Sequence, residues 1–360
     1  MLLDTPALYF RAFYGVPESV TAADGTPVNA VRGLLDMISW LVRVENGRQP
    51  GRSAASGQSA APGQGAVSDR GTAAGRGAAA GPGAAAGPGA AAGRGAAAGR
   101  ASEGAGGVSH RPARLVACMD ADWRPAFRVA ALASYKAHRA RPDGSELTPA
   151  ALTAQIPIIT EVLDAAGIAQ AEAPGYEADD VIGTLAARAE TPVDIVTGDR
   201  DLFQLINDER HVRVLYTARG FSRLEAVDEA AVTARYDIPG RAYAEFAALR
   251  GDPSDGLPGV PGIGAKTAAA LVRQFGTVDA MLEAIDKDAA LPGSSRAKLG
   301  GARAYLEAAL PVVRVVTDAP IPPIDDRLPT APKDRARLEE LGARWNLGSS
   351  LRRLLSALAG

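Results

Sequence analysis

The chain has 360 residues, enough for one large or two modest domains, and its 47% hydrophobic content can supply a real core. The 39 Lys and Arg against 41 Asp and Glu leave a formal net charge of −2, which excludes a uniformly basic nucleic-acid binder but not a protein whose acidic cluster cancels a basic surface. A lone cysteine, Cys118, excludes an internal disulfide, three histidines argue for oxygen rather than soft metal ligands, and no apolar run is long enough for a membrane span or signal core.

In chain order, Leu2-Leu3 reads as a short strand. Asn29 to Val44 reads as an amphipathic helix, with Val31, Leu34, Leu35, Ile38, Leu41 and Val42 at helical spacing. From Gly47 to Ser109 the sequence becomes Gly, Ala, Pro, Ser and Arg, with near repeats starting at Gly81 and Gly87. Almost no large apolar side chain is present to offset the entropy of ordering that run, so a disordered insertion is expected; its arginines could touch nucleic acid or simply decorate a tolerated surface loop. Leu115 to Met119 is a buried strand, Thr148 to Ala166 and Glu177 to Ala189 are helices, and Val193 to Val196 and Val212 to Leu215 are strands. Strands alternating with helices predict an α/β fold with a mainly parallel sheet covered on both faces. After about Tyr236, helices punctuated by Gly and Pro take over, and Arg335 to Leu358 reads as amphipathic helices with no recognisable partner motif. The predicted organisation is a catalytic α/β domain in two parts (1–46 and 110–235), the insertion (47–109), a helical subdomain (236–330) and C-terminal helices (331–360).

Residues just after parallel strands gather at one sheet edge, where open α/β sheets bind ligands. Asp4 follows the first strand, Asp120 the second, and Asp199 and Asp201 follow Val193 to Val196. Glu177, Asp179 and Asp180 open a helix, where acids also serve simply to complement the helix dipole. Asp252 and Asp255 lie in Gly-Asp-Pro-Ser-Asp-Gly, which alone would be an ordinary turn. Together, nine converging carboxylates would repel one another unless cations neutralised them. Oxygen ligands suit Mg²⁺ or Mn²⁺ rather than Zn²⁺, and two such ions roughly 4 Å apart suit phosphodiester hydrolysis. No P-loop or Ser/His/Asp set appears, and His110, His138 and His211 are scattered.

Gly259-Val260-Pro261-Gly262-Ile263-Gly264-Ala265-Lys266 leads into a helix from Ala268 to Phe275. Glycines allow close backbone approach, and a helix start beside a lysine can seat a phosphate, although a plain turn between helices has the same composition. Arg124 to Arg141 is a second basic element, with Arg128, Lys136 and Arg139, and with Tyr135 as a stacking ring; a solvated helical face would look similar. Arg11, one or two turns after Asp4, is in reach of the same centre, although a surface role would explain it as well.

These stretches resemble the 5′-nuclease family: the 5′-nuclease domain of bacterial DNA polymerase I, its stand-alone relatives and the flap endonucleases. Leu3-Asp4-Thr5 with Tyr9-Phe10-Arg11-Ala12, Met119-Asp120-Ala121-Asp122, Tyr135 to Arg139, Gly175 to Asp180, Thr197 to Leu202 and Gly251 to Thr267 carry the resemblance, which spans the chain except the insertion and the C-terminal stretch. It implies a PIN-like catalytic domain followed by a helix-three-turn-helix subdomain. One metal site would lie near Asp4, Asp120, Glu177 and Asp179 and a second near Asp199, Asp201, Asp252 and Asp255, with Asp180 contributing directly or through water. Lys136, Arg139 and Arg11 would stabilise the scissile phosphate. Gly259, Gly262, Gly264 and Lys266 would grip duplex DNA, with K⁺ as a companion cation, and Arg128 and Tyr135 would also face DNA.

The implied substrate is DNA with 5′ ends or flaps, including RNA-DNA primers. A monomer in the cytoplasm at the nucleoid, recruited by a polymerase or sliding clamp, is the matching expectation. Gly256 stands where the family usually has Asn, which predicts a looser turn at Asp255. Only three residues precede Asp4, so the true start is expected upstream, and with no polymerase portion following, the chain is expected to act as a stand-alone nuclease. A DNA-structure binder without chemistry would have no use for acids facing phosphates, and an RNA-cleaving PIN domain would lack the glycine hairpin.

Overall fold

The computed structural model describes residues 1–43 and 110–360. The expected insertion at 47–109 lies outside them. In chain order the elements are β1 (Leu2–Asp4), α1 (Thr5–Gly15), α2 (Asn29–Val42), β2 (Val116–Cys118), α3 (Ala126–Ala131), α4 (Ala150–Thr153), α5 (Ile156–Ala166), β3 (Ala169–Ala171), α6 (Ala178–Arg188), β4 (Val193–Thr197), β5 (Val212–Tyr216), β6 (Glu225–Val227), α7 (Glu229–Tyr236), α8 (Tyr243–Arg250), α9 (Ala265–Phe275), α10 (Val278–Asp286), α11 (Ser295–Gly301), α12 (Arg303–Val313), α13 (Arg335–Arg344) and α14 (Gly348–Ala359).

The strands form one sheet in the order β3-β2-β1-β4-β5-β6, parallel except for the antiparallel edge strand β6. Successive side chains on a strand point to opposite faces, so each short apolar strand feeds two cores. Leu2, Val116, Ile195 and Val214 pack with α6 and with α8, α9 and α12. Leu3, Ala117, Val196 and Leu215 pack with α1, α2, α5, α13 and α14. The fold class is therefore the α/β, mainly parallel sheet that the alternating elements predict, with a helical part after α7.

Three local expectations change. The helix foreseen from Thr148 to Ala166 is two helices, because Pro149 caps α4 and a second proline, Pro157, sits in the first turn of α5, where a missing N–H costs nothing. Between them, buried Gln155 turns its side-chain oxygen to the N–H groups of Ala30 (2.8 Å) and Val31 (3.3 Å), satisfying donors at the start of α2. The edge strands β3 and β6 were not anticipated; three residues are too few to show an alternating pattern.

The C-terminal helices return to the first part of the chain. Arg353 grips Asp36 of α2 with two hydrogen bonds of 2.8 Å, and Arg111 donates to the carbonyls of Leu358 (2.5 Å) and Ala357 near the end of α14 and of Val42 (3.5 Å) at the end of α2. Among the described residues, no helix is long and apolar enough to cross a membrane.

Candidate metal centre and nucleic-acid interface

The chain runs outward from β1 to β2 to β3 and then returns to lay β4 on the other side of β1. That reversal opens a crevice at the carboxyl ends of β1 and β4, the usual ligand position in such sheets. Asp4 ends β1 and caps α1, its Oδ1 accepting from the Ala7 N–H (3.1 Å) and its Oδ2 from the Thr197 hydroxyl (2.5 Å). Thr197 ends β4; its hydroxyl oxygen accepts from the Asp199 N–H (2.8 Å), and Asp199 in turn accepts from the Asp201 N–H (2.8 Å). One relay thus fixes the loop after β4 to the end of β1. Thr197 had no assigned role in the sequence, where nothing distinguishes it from an ordinary strand-end threonine.

Asp120, after β2, accepts from the N–H of Ala178 (2.7 Å) at the start of α6. Glu177 caps that helix in a capping box with Asp180. The turn carrying Asp252 and Asp255 reaches the basin from the helical part. Its position depends on Gly256, at φ +74°, where a Cβ would lie 2.1 Å from the Ser134 carbonyl oxygen. The Lys136 N–H donates to the Asp255 carbonyl (3.0 Å) and the Ser134 hydroxyl to the Gly256 carbonyl (2.8 Å). The glycine does not loosen this turn, as its departure from the family pattern predicts. It permits a backbone approach that asparagine would block.

The electrostatics follow from crowding. Burial pushes the carboxyls of Asp4 and Asp255 up to about 6 and that of Asp120 to about 7. Asp179 rises well above the usual range through burial and then the charges of Asp4, Asp199 and Glu177. Asp201 does so through burial and then the charges of Asp199, Asp255 and Asp252. The two neighbourhoods overlap, since both Asp199 and Glu177 act on Asp179 and on Asp255. Among the described residues no three acidic, histidine or cysteine side chains surround one centre closely enough to form a finished coordination shell. Buried carboxyls raised by one another's charge make a shared, partly desolvated field of negative charge. An all-oxygen donor set under that repulsion fits hard divalent cations.

Cationic side chains enter the same basin. The Lys136 ammonium pairs with Glu177 Oε1. Arg11 and Asp199 line one open recess of about 580 Å³ with Phe10 and Tyr14, and the Arg11 guanidinium lies beside Gly198. Arg139 turns instead to Glu146.

Four expected roles are corrected. Asp180 is fully buried, with its oxygens held by the Arg128 guanidinium (2.7 Å each) and the Val316 N–H (2.9 Å), so of its two expected roles direct coordination is set aside and it orients its neighbours. Arg128 is no DNA contact: its side chain is 3% exposed and donates to Glu177 and Asp180 and to the carbonyls of Val312 and Arg314. Tyr135 is no stacking ring, being buried with its hydroxyl donating to Glu177 Oε2 (2.6 Å). Gly259, expected among the residues gripping duplex DNA, instead donates its N–H to the Tyr305 hydroxyl (3.1 Å), and the glycine is required because a Cβ would meet the Arg250 carbonyl oxygen at 2.5 Å.

Gly262, Gly264 and Lys266 remain exposed on the turn leading into α9. A lysine the sequence reading missed, Lys298 of α11, donates to the Gly262 carbonyl (3.0 Å); its distance in sequence hid it.

Comparisons agree with this architecture. A family model described as 5′-3′ exonuclease, N-terminal resolvase-like domain, matches residues 107–237, and one described as 5′-3′ exonuclease, C-terminal SAM fold, matches residues 238–336. A protein named 5′-3′ exonuclease from Streptomyces coelicolor is 48% identical, with 99% of each chain covered. A protein of the same name from Mycobacterium tuberculosis is 41% identical over 99% of this chain and 97% of its own. A DNA polymerase I from Mycobacterium bovis is 39% identical over 95% of this chain but only 30% of the polymerase. With both halves of the family pattern matched and full-length relatives this similar, the chain belongs to the 5′-3′ exonuclease family.

Proposed function

We propose that this chain hydrolyses phosphodiester bonds at the 5′ ends and 5′ flaps of DNA, with Mg²⁺ or Mn²⁺ held in two adjoining places. Asp4, Asp120, Glu177 and Asp179 would hold one ion, and Asp199, Asp201, Asp252 and Asp255 the other. When bound, the ions neutralise phosphate charge and supply an activated water. The observation that carries this reading is the gathering of Asp4, Asp120, Asp199 and Asp201, tied by short hydrogen bonds, at the strand ends beside the sheet's reversal point.

The chain's own side chains do the rest. Thr197 and the Ala178 N–H orient Asp4 and Asp120. Arg128 holds both oxygens of Asp180 and Oε2 of Glu177, which leaves Glu177 Oε1 for the basin. Lys136 transfers from Glu177 to the scissile phosphate, freeing Oε1, while Arg11 approaches the phosphate from the Asp199 side. Arg139 steers the 5′ strand past the basin. Gly262, Gly264 and Lys266 take the duplex backbone without reading sequence. A companion K⁺ at that turn would have to displace the Lys298 ammonium from the Gly262 carbonyl. The biological setting that fits is primer removal, including RNA-DNA primers, and DNA repair by a monomer at the nucleoid, recruited by a polymerase or sliding clamp.

A flap duplex labelled at its 5′ end tests this. Cutting near the junction in Mg²⁺ or Mn²⁺, and none in chelator, is expected. Tight binding with no cutting at any metal concentration would replace the enzyme with a DNA-structure binder.

A further inference from the structure

Between the C-terminal end of α7 and the outer face of α9 lies a recess of about 440 Å³, separate from the carboxylate basin. Its lining brings together three cations, Arg235, Lys266 and Arg273, against one carboxylate, Asp237, with Tyr236 and Phe246 as an aromatic wall. The two rings pack at 5.7 Å between centroids, so the wall is a fixed surface. Lys266 and Arg273 stand seven residues apart on α9, two turns and about 10 Å along one face. Lys266 also belongs to the first turn after Gly264, so the recess continues directly from the glycine turn.

Each arginine has a local acid: Arg235 pairs with Glu225, and Arg273 with Asp237. The second pair is open to water, with side chains 46% and 70% exposed. Exposed pairs of this kind contribute at most about 1 kcal/mol, so a phosphate can take the guanidinium from its carboxylate. Asp237 holds φ +62° at the end of α7, which keeps its carboxylate beside Arg273 rather than in the helix.

We propose that this recess seats a second backbone phosphate of duplex DNA, beyond the one at the Gly262–Lys266 turn, and that Asp237 limits the strength of that seat. The inference rests on the duplex-binding reading above. Three cations from two helices continuous with an exposed glycine turn match a linear array of phosphates.

The test is the salt dependence of binding to an unflapped duplex, in chelator so that nothing is cut. The full chain is compared with R235Q/R273Q, D237N and K266Q. Losing one phosphate contact lowers the slope of log K against log salt by about 0.9, and that drop is expected for R235Q/R273Q. Asn tolerates the left-handed backbone of residue 237, so D237N should keep its melting temperature and bind severalfold tighter at low salt. If R235Q/R273Q and D237N both bind as the native chain does while K266Q loses slope, the second seat is overturned and the duplex reading survives. Failure of the native chain to bind duplex would overturn both.

Discussion

At the residue scale, the carboxylates were legible because acids at strand ends and helix starts are displayed in sequence, whereas their counter-ions were not. Arg128 looks like one member of a basic run, but the acids it serves lie 49 and 52 residues further on and meet it only through folding. Arg128→Met should therefore leave Asp180 buried without a cation, while Glu177 keeps Lys136 and Tyr135, and lower stability by about 3–5 kcal/mol in urea melts, with the salt slope of duplex binding unchanged. A stable variant with a reduced slope would return Arg128 to the DNA surface. The crowded acids make a second prediction. Asp4, Asp120 and Asp255 have folded values of about 6, 7 and 6 against 3.8 in an unfolded chain. Groups raised in this way penalise the folded state fully above the folded value, and the penalty is relieved as pH falls through it. In chelator the melting temperature should rise between pH 7.5 and 5.5, and Mg²⁺ at pH 7.5 should raise it by mass action. A melting temperature insensitive to both would mean that the acids do not share a field.

At the scale of elements, the strands at the centre of the sheet were readable from their apolar runs, and α2 from its helical spacing. Prolines marked where the 148–166 segment divides, but the cap supplied by Gln155 depends on a partner 125 residues away. The least legible feature was the docking of the Asp252–Asp255 turn onto the Ser134–Lys136 loop. The family's usual residue at 256 suggests that Gly256 is a defect, yet a side chain there would strike backbone. Gly256→Asn should destabilise the protein by about 1–3 kcal/mol and reduce cleavage, measured by thermal melting and single-turnover rates. A gain of stability would show that the close approach is not needed. The ends of the described segments are also joined: Arg111 donates to the Val42 carbonyl and to the end of α14. Replacing residues 44–109 with a short Gly-Ser linker should change stability by less than about 0.5 kcal/mol, because the contacts of Arg111 and Arg353 that fix α2 and α14 all remain. A large loss would give the replaced residues a structural role.

At the scale of the whole molecule, a near-zero net charge conceals two separated fields. Acids collect at the sheet's reversal point, while Arg235 of α7 and Lys266 and Arg273 of α9 gather at a separate recess. The α/β class follows from alternating elements and could be anticipated, whereas the place of the reversal could not, because alternation does not fix strand order. The C-terminal helices closing over α2 could not, since an amphipathic helix does not state which face it will cover. The reading as a whole requires that the carboxylate basin perform the chemistry and that the helical part hold the duplex. The decisive measurement is the single-turnover rate on a 5′-flap duplex across a Mg²⁺ range for the native chain and Asp201→Asn, with duplex binding measured alongside. Cleavage that needs Mg²⁺ and falls on the order of a thousandfold in the variant, with duplex affinity kept, is predicted. Native-rate cleavage by the variant, or undiminished cleavage in chelator, would remove the basin from the reaction.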